Sequence, residues 1–423
     1  MILKNKTFDN SLAFFFISIL PISIIIGPAI SLLNILCITF LFIIIYFKSK
    51  DINFQKKELI LFFIIFYIYL ILNSFLGIDF ENSSTRSFGF LRFILLFLAI
   101  NYFFLKIENF NKIFKIWAII LSLLAIDGLY EVIFKSNIFG WGDFSDSANQ
   151  GQRIVSFFKD EPVVGSFLFC FILLLSGYIL ENKELKNKKI VFTLFFSFLF
   201  LIILLSGERS NFLKTIFASV IFLFISREFT KAYIAKLFLF LIITLVIIFN
   251  SYSYLYNKYS YLINSFSFSE TNTLIKKNIY FDLYKSGYTV FLDNKLFGVG
   301  QKNYGKYASI KDAELKKENN TTINFLIIST HPHQIYIEFL SEHGILGTII
   351  ILGLFLYILY KMIRIIISSR NNIQIGCFCY IVATFLPILP SGSFFSDFNA
   401  TLFWINFSIF FAVSKETNIF KLK

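Results

Sequence analysis

Charge is scarce in this sequence. Only 15% of its 423 residues are Asp, Glu, Lys or Arg, against roughly 25% in an ordinary soluble domain, which argues against a water-soluble enzyme. Cysteine is scarcer still. Four residues, Cys37, Cys170, Cys377 and Cys379, are too few for a disulfide scaffold; they contain no Cys-x-x-Cys, and all fall in apolar runs, where a thiol behaves as a small apolar group. There are six prolines and no nucleotide-binding fingerprint, so no ATP site is indicated. What is abundant is apolar surface: 57% of the residues are hydrophobic, 20% aromatic and 60 are Phe. Disorder is excluded by that content, and a polytopic membrane protein remains. The bias toward Phe, Ile, Leu, Lys and Asn reads as AT-rich codon usage, not as function.

The net charge of +13 does not describe a nucleic-acid surface. The cations recur as short clusters between apolar runs, which is a topology signal. A spanning helix needs about 20 apolar residues. Segments 12–27, 28–47, 59–76, 88–105, 113–134, 163–180, 190–206, 211–226, 232–250, 345–362, 373–390 and 398–414 qualify, twelve in all, although Pro21, Gly27 and Pro28 interrupt the first stretch. No cleavable signal peptide is expected, because the apolar run from Leu12 is too long and no small-residue cleavage site follows it. With both termini cytoplasmic, the inner segments hold 22 Lys and Arg, whereas the short outer loops hold Arg86, Lys135, Arg153 and Lys159. The predicted fold class is all-α: about twelve transmembrane helices with one long, partly helical periplasmic loop.

That loop, 251–343, divides the chain into an N-terminal bundle over 1–250, the loop itself, and C-terminal helices over 344–423. Long ordered loops in compact bundles usually carry function. All three histidines, His331, His333 and His343, lie in its last thirteen residues. Pro332 fits the first position of a helix capped by Thr330 or His331, with Ile335, Phe339 and Leu340 on one face and Gly344 ending it. His333 would then sit in the first turn, where the helix dipole keeps imidazole neutral and able to act as a base. The plainer alternative is a polar loop residue that bonds its neighbours. A metal site is the weaker reading of His-x-His, because residues two apart diverge on a helix and no ligand-spaced Cys pair accompanies them.

A second feature is the turn Ser206-Gly-Glu-Arg-Ser-Asn211 between two apolar runs. It brings Glu208 and Arg209 to the membrane surface, where ionisable groups are expensive and often functional. A guanidinium holds phosphate through two parallel bonds; alternatively the two residues merely cap and pair. Lys214 follows one turn later. Within the spans, Arg92 either pairs with Asp127 or Glu131 or joins Arg209 at an anion site. Arg153 is a further outer-face cation.

These residues together resemble the O-antigen ligase and polymerase superfamily of bacterial envelope glycan assembly. The family's pattern His-(Asn/Ser/Gln)-x9-Gly-x-x-Gly-(Thr/Val) is met by His333, Gln334, Gly344, Gly347 and Thr348. Asp293-Asn-Lys-Leu-Phe-Gly298-Val-Gly300 is similar to a family Pro-Leu-Phe-Gly-Val-Gly segment, with Lys295 in place of proline. The turn at Arg209 and the stretch from Arg153 to Gly165 also match. One feature departs: family members carry an essential arginine in the long loop, and 251–343 has none. Lys276, Lys277 and Lys285 are the candidate replacements.

The resemblance implies a metal-independent membrane glycosyltransferase with no cofactor. Its donor would be a glycan on undecaprenyl diphosphate and its acceptor a sugar hydroxyl, on lipid A–core for a ligase or on another repeat unit for a polymerase. Membrane lipids are the surrounding partner; nucleic acid is not. His333 is the expected base and Arg209 the expected diphosphate ligand, with Arg153, Lys285, Gln334, His331 and Glu208 as substrate contacts and Gly298, Gly300, Gly344 and Gly347 as structural positions. The site would face the periplasm from the bacterial inner membrane. A lipid-linked glycan flippase is the rival class; it would use Arg92, Asp127 and Glu131 near the bilayer midplane, and the chain shows no internal repeat of transporter type.

Overall fold

In a computed structural model the chain forms an all-α bundle, with residues 2–49, 52–107, 110–142, 144, 153–265 and 279–422 described. The N-terminal part contains α1 (Ile2–Ser18), α2 (Leu20–Ile26), α3 (Pro28–Ser49), α4 (Lys57–Leu76), α5 (Phe80–Gly89), α6 (Leu91–Lys106) and α7 (Asn111–Phe134). Next come α8 (Val164–Glu181), α9 (Lys188–Leu205), α10 (Arg209–Ile225) and α11 (Lys231–Ser251). The long segment adds α12 (Ser253–Ser265), α13 (Ile279–Asp293) and α14 (Tyr304–Glu318), and the chain closes with α15 (Ile335–Ser369), α16 (Asn372–Thr384) and α17 (Asp397–Ala412). Among the described residues eight helices are long and apolar enough to cross a membrane. The other four expected segments are helical but shorter or broken. Segment 12–27 is split between α1 and α2 around Ile19, with Pro21 in the first turn of α2.

Segment 373–390 departs from expectation. Its helix ends at Thr384, ahead of Pro387 and Pro390, whose rings remove helix donors and push the preceding residues out of the helical region. Residues 385–396 instead form an irregular strap that returns to α17. Asp397 begins α17, and Ser396 caps it by accepting from the Asn399 N–H.

The centre of the bundle is α8. From Val164 to Leu180 every residue except Ser166 is buried, and α16, α9 and α10 pack around it. Lipid provides no hydrophobic drive between helices, so close packing must hold them. The phenylalanines do this. Phe63 meets Phe97 edge-on with centroids 4.7 Å apart, and Phe394 meets Phe403 at 5.1 Å. Such pairs contribute about 0.5–1.5 kcal/mol beyond their area. The opposite faces of α4, α11 and α15 leave Ile68, Leu72, Ile243, Ile247, Ile349 and Ile367 exposed, as lipid-facing surfaces require.

Two short strands, β1 (Ile52–Phe54) and β2 (Phe420–Leu422), pair antiparallel with Ile52 opposite Leu422. The connection after α3 and the C-terminus therefore lie on the same side of the bundle, in accord with an even number of crossings between them.

Candidate active site

The site is built around a break in α15. Gly344 adopts φ 63° and ψ −172° inside that element, a conformation open in practice only to glycine. The break frees backbone groups that a continuous helix would consume. The loop carrying Gly298 and Gly300 takes them up: the Val299 and Gly300 N–H groups donate to the Ser341 and Glu342 carbonyls at 3.0 and 2.9 Å, and the Ile345 N–H donates to the Lys295 carbonyl at 2.8 Å. The fit is tight. A Cβ on Gly298 or on Gly344 would stand 2.4 Å from the other segment's backbone. Gly347 leaves room for the Tyr69 ring, whose hydroxyl bonds His343 Nδ1 at 3.1 Å. These four glycines thus lock the long segment to the bundle and stand away from the reacting groups.

His333 is not in the first turn of a helix, contrary to the spacing argument. Helix α15 starts at Ile335; Gln334 is its cap, its side-chain oxygen accepting from the Ile337 N–H at 2.8 Å. His333 precedes the cap at φ 56°, a left-handed conformation uncommon for a side chain of this size. Its carbonyl accepts from Ser391 N–H at 2.9 Å, which ties the strap to it. Glu338 holds the same strap from one turn further on, accepting from the Phe394 N–H at 2.9 Å and from the Ser393 hydroxyl. The His333 imidazole is held below its usual pKa, and the cause is burial rather than the dipole. It is neutral near pH 7 in either case.

His333 opens into a cavity of about 250 Å³, whose other walls include Arg153, Glu208, Arg209, Ser210, Asn211, Lys214, Tyr280 and the 389–392 part of the strap. Residues from at least five separate stretches of sequence converge there: 153, 208–214, 280, 333 and 389–392. The Arg209 Nη1 donates to the Lys258 carbonyl at 3.1 Å, and the Ser210 hydroxyl donates to the Pro390 carbonyl. Arg153 has its Nε buried without a hydrogen-bond partner among the described residues. Lys214 is also buried against the cavity.

Glu208 lies on the wall, but its carboxylate is engaged by the N–H groups of Gly165 and Ser166 at the start of α8 and by Asn211. It caps a neighbouring helix and sets the turn; no ion pair joins it to Arg209 among the described residues. His331 lines a second, adjoining cavity, its ring centroid 4.1 Å from that of His333. Gln334 is occupied as a cap. Lys285 is exposed and does not line the cavity. Lys276 and Lys277 lie outside the described residues.

Lys258 was missed by sequence reasoning. It sits on α12 within electrostatic reach of both Arg153 and Arg209, and burial followed by those two charges lowers its ammonium to about 7. Only the fold of α12 against the Arg209 turn reveals it, since nothing in its local sequence marks it. Arg92 requires a correction. It pairs with Asp397, as does Arg86 at 2.8 Å, not with Asp127 or Glu131. Those two carboxylates bind the chain before α8: Asp127 accepts from the Ser156 hydroxyl at 2.6 Å, and Glu131 accepts from the Ser156 N–H at 2.7 Å and from the Val155 N–H. All three intramembrane ionisable groups are thereby engaged structurally. Among the described residues no three His, Cys, Asp or Glu side chains gather as metal ligands would.

Fold and cavity define a polytopic, all-α membrane protein with a cation-lined chamber where a half-buried neutral histidine shares the walls with two arginines. Residues 194–352 match the family model described as O-antigen ligase. That region is similar to the O-antigen ligase and polymerase superfamily, a family of membrane enzymes of glycosyltransferase type. The matched region includes Arg209, Lys258 and His333; Arg153 lies ahead of it. No curated protein matches the chain.

Proposed function

We propose that this protein transfers a glycan from undecaprenyl diphosphate to a sugar hydroxyl at the periplasmic face of the bacterial inner membrane. The observation that carries the reading is the single cavity shared by His333, Arg209, Arg153 and Lys214. As the acceptor oxygen attacks the anomeric carbon, its proton passes to neutral His333. The bond from that carbon to the phosphate oxygen breaks, and the diphosphate leaves with the electron pair. A positioned base contributes about 10²–10⁴-fold to such a step. Fixed cations belong where the leaving charge develops; Arg209 and Arg153 fill that role, with Lys214 adding positive charge and Lys258 standing in for the family's loop arginine. With these cations carrying the charge, the step is written without a metal or cofactor.

The polyprenyl tail has a candidate berth in the apolar groove between α9 and α11, lined by Phe200, Leu204, Phe240 and Leu245. The Leu204 carbonyl accepts from Tyr259, the neighbour of Lys258, so groove and cation cluster adjoin. The long 251–343 segment and both termini take opposite sides in this reading.

The acceptor distinguishes ligase from polymerase, and we favour lipid A–core. A gel of envelope glycolipids from a strain lacking the gene, with the carrier-linked pool beside it, tests both. Full-length polymer retained on the carrier and absent from the core identifies a ligase. Single repeat units on both identify a polymerase, and an unchanged profile overturns the reading. Loss of function from Arg92, Asp127 and Glu131 substitutions with His333 dispensable would favour a flippase.

A further inference from the structure

A second cavity, about 360 Å³, is lined by Arg86, Gln301, Lys302, His331 and Glu342. It shares Gly392 and Asn399 with the cation-lined chamber, and His331 on one side stands against His333 on the other, the centroids of their tilted rings 4.1 Å apart. Its walls hold polar atoms that the protein leaves open. Gln301 is fully buried; its side-chain oxygen accepts from the Ser87 hydroxyl at 2.7 Å and its backbone N–H donates to Asn73 at 3.0 Å, yet its Nε2 has no hydrogen-bond partner among the described residues. The Nε2 of His331, beside the Ser391 backbone, is likewise buried without a hydrogen bond of good geometry. A buried amide donor left open in this way is expensive and points to an occupant.

The chemistry of that occupant follows from the walls. Gln301 Nε2 donates, the buried Glu342 carboxyl accepts, and imidazole does either according to tautomer. Paired donors and acceptors are what neighbouring hydroxyls need, since each donates one bond and accepts others. Arg86 is already paired with Asp397 at 2.8 Å and so offers an anion no free guanidinium, and Lys302 is exposed to solvent. An apolar group would leave Gln301 unsatisfied.

We propose that this cavity is the acceptor subsite, which holds an uncharged, hydroxyl-rich sugar ring and presents one hydroxyl through the histidine pair to His333. The proposal rests on the glycosyl-transfer reading, with the donor diphosphate in the neighbouring chamber. The substrates so enter from separate polar compartments, and the reacting atoms meet only at the shared wall.

The test uses the full chain in lipid nanodiscs. Undecaprenyl diphosphate probes the donor chamber by its Kd. Envelope extract from the deletion strain, which holds unused donor and unmodified acceptor, serves for transfer with the acceptor fraction titrated. Gln301→Glu keeps an oxygen for Ser87 and replaces the open donor with a carboxyl oxygen; His331→Phe keeps the ring and removes its nitrogens. Both should raise the apparent acceptor KM about tenfold or more, with kcat changed less and the undecaprenyl diphosphate Kd within about twofold of wild type. An unchanged acceptor KM in folded variants overturns the proposal, as does a Kd that weakens in step with KM, because the cavity would then be donor space. If the unaltered chain neither binds undecaprenyl diphosphate nor transfers, the glycosyl-transfer reading fails and this proposal falls with it.

Discussion

His333 combines two properties that are seldom found together: a half-buried neutral ring and a left-handed backbone. Asn tolerates that backbone better than most side chains, so His333→Asn separates chemistry from folding. Transfer should fall about 10²–10⁴-fold with the melting temperature unchanged; near-normal transfer would remove the proposed base. Arg209→Lys should lose about 10²-fold, because an ammonium cannot reproduce a two-pronged contact with phosphate. Lys258 adds a pH signature. With its pKa depressed to about 7, it is charged below that pH and neutral above it, so its attraction for an anion is present at low pH and lost as pH rises. The affinity for undecaprenyl diphosphate should therefore decline more steeply from about pH 6 to pH 8 in the wild type than in Lys258→Arg, whose guanidinium stays charged. Parallel curves would exclude Lys258 from the diphosphate site.

At the scale of elements, the divided helix α15 does the positioning. Gly344→Ala meets both a forbidden backbone angle and the Leu296 carbonyl, and should destabilise the protein by about 3 kcal/mol or more. Gly353, further along the same element, has open space around it; Gly353→Ala should be neutral or stabilising by up to about 1 kcal/mol. Thermal melts of the two variants check this contrast, and equal losses would mean that the break has no special role. Gln334 permits a similar distinction. As a cap its loss in Gln334→Ala should lower stability by about 1 kcal/mol and leave the donor Kd unaltered. A large rise in that Kd at unchanged stability would instead make it a substrate contact.

Across the whole molecule, the β1–β2 pair gives sidedness a structural anchor. Residues 52–54 and 420–422 share one face, and in the proposed topology, drawn from positive charge, that face is cytoplasmic. Single cysteines in a background lacking the four native ones should show it. A thiol at position 421 should resist a membrane-impermeant reagent applied from the periplasm, and one at position 317 should react. The reverse pattern would invert the orientation and leave the cavity on the wrong side for a periplasmic donor.

Much was legible in the sequence because its signals are local. Runs of about twenty apolar residues specify helical spans from local composition alone, and eight of the twelve expected segments are long and apolar enough to cross. The glycines at 298 and 344 announce special backbone angles, and the spacing of His333, Gln334, Gly344 and Gly347 identifies the family segment. What the sequence left open is what depends on partners far along the chain. Lys258 became visible only when α12 came to lie against the Arg209 turn, and Arg92 found Asp397 because α17 packs beside α6. The strap at 385–396 could not be read as a cavity wall, since apolar content alone does not distinguish a helix end from its continuation. His333 itself was found by spacing, but its neutrality was ascribed to the wrong cause: the dipole follows from helix position, whereas burial is decided by what the rest of the fold places around the ring.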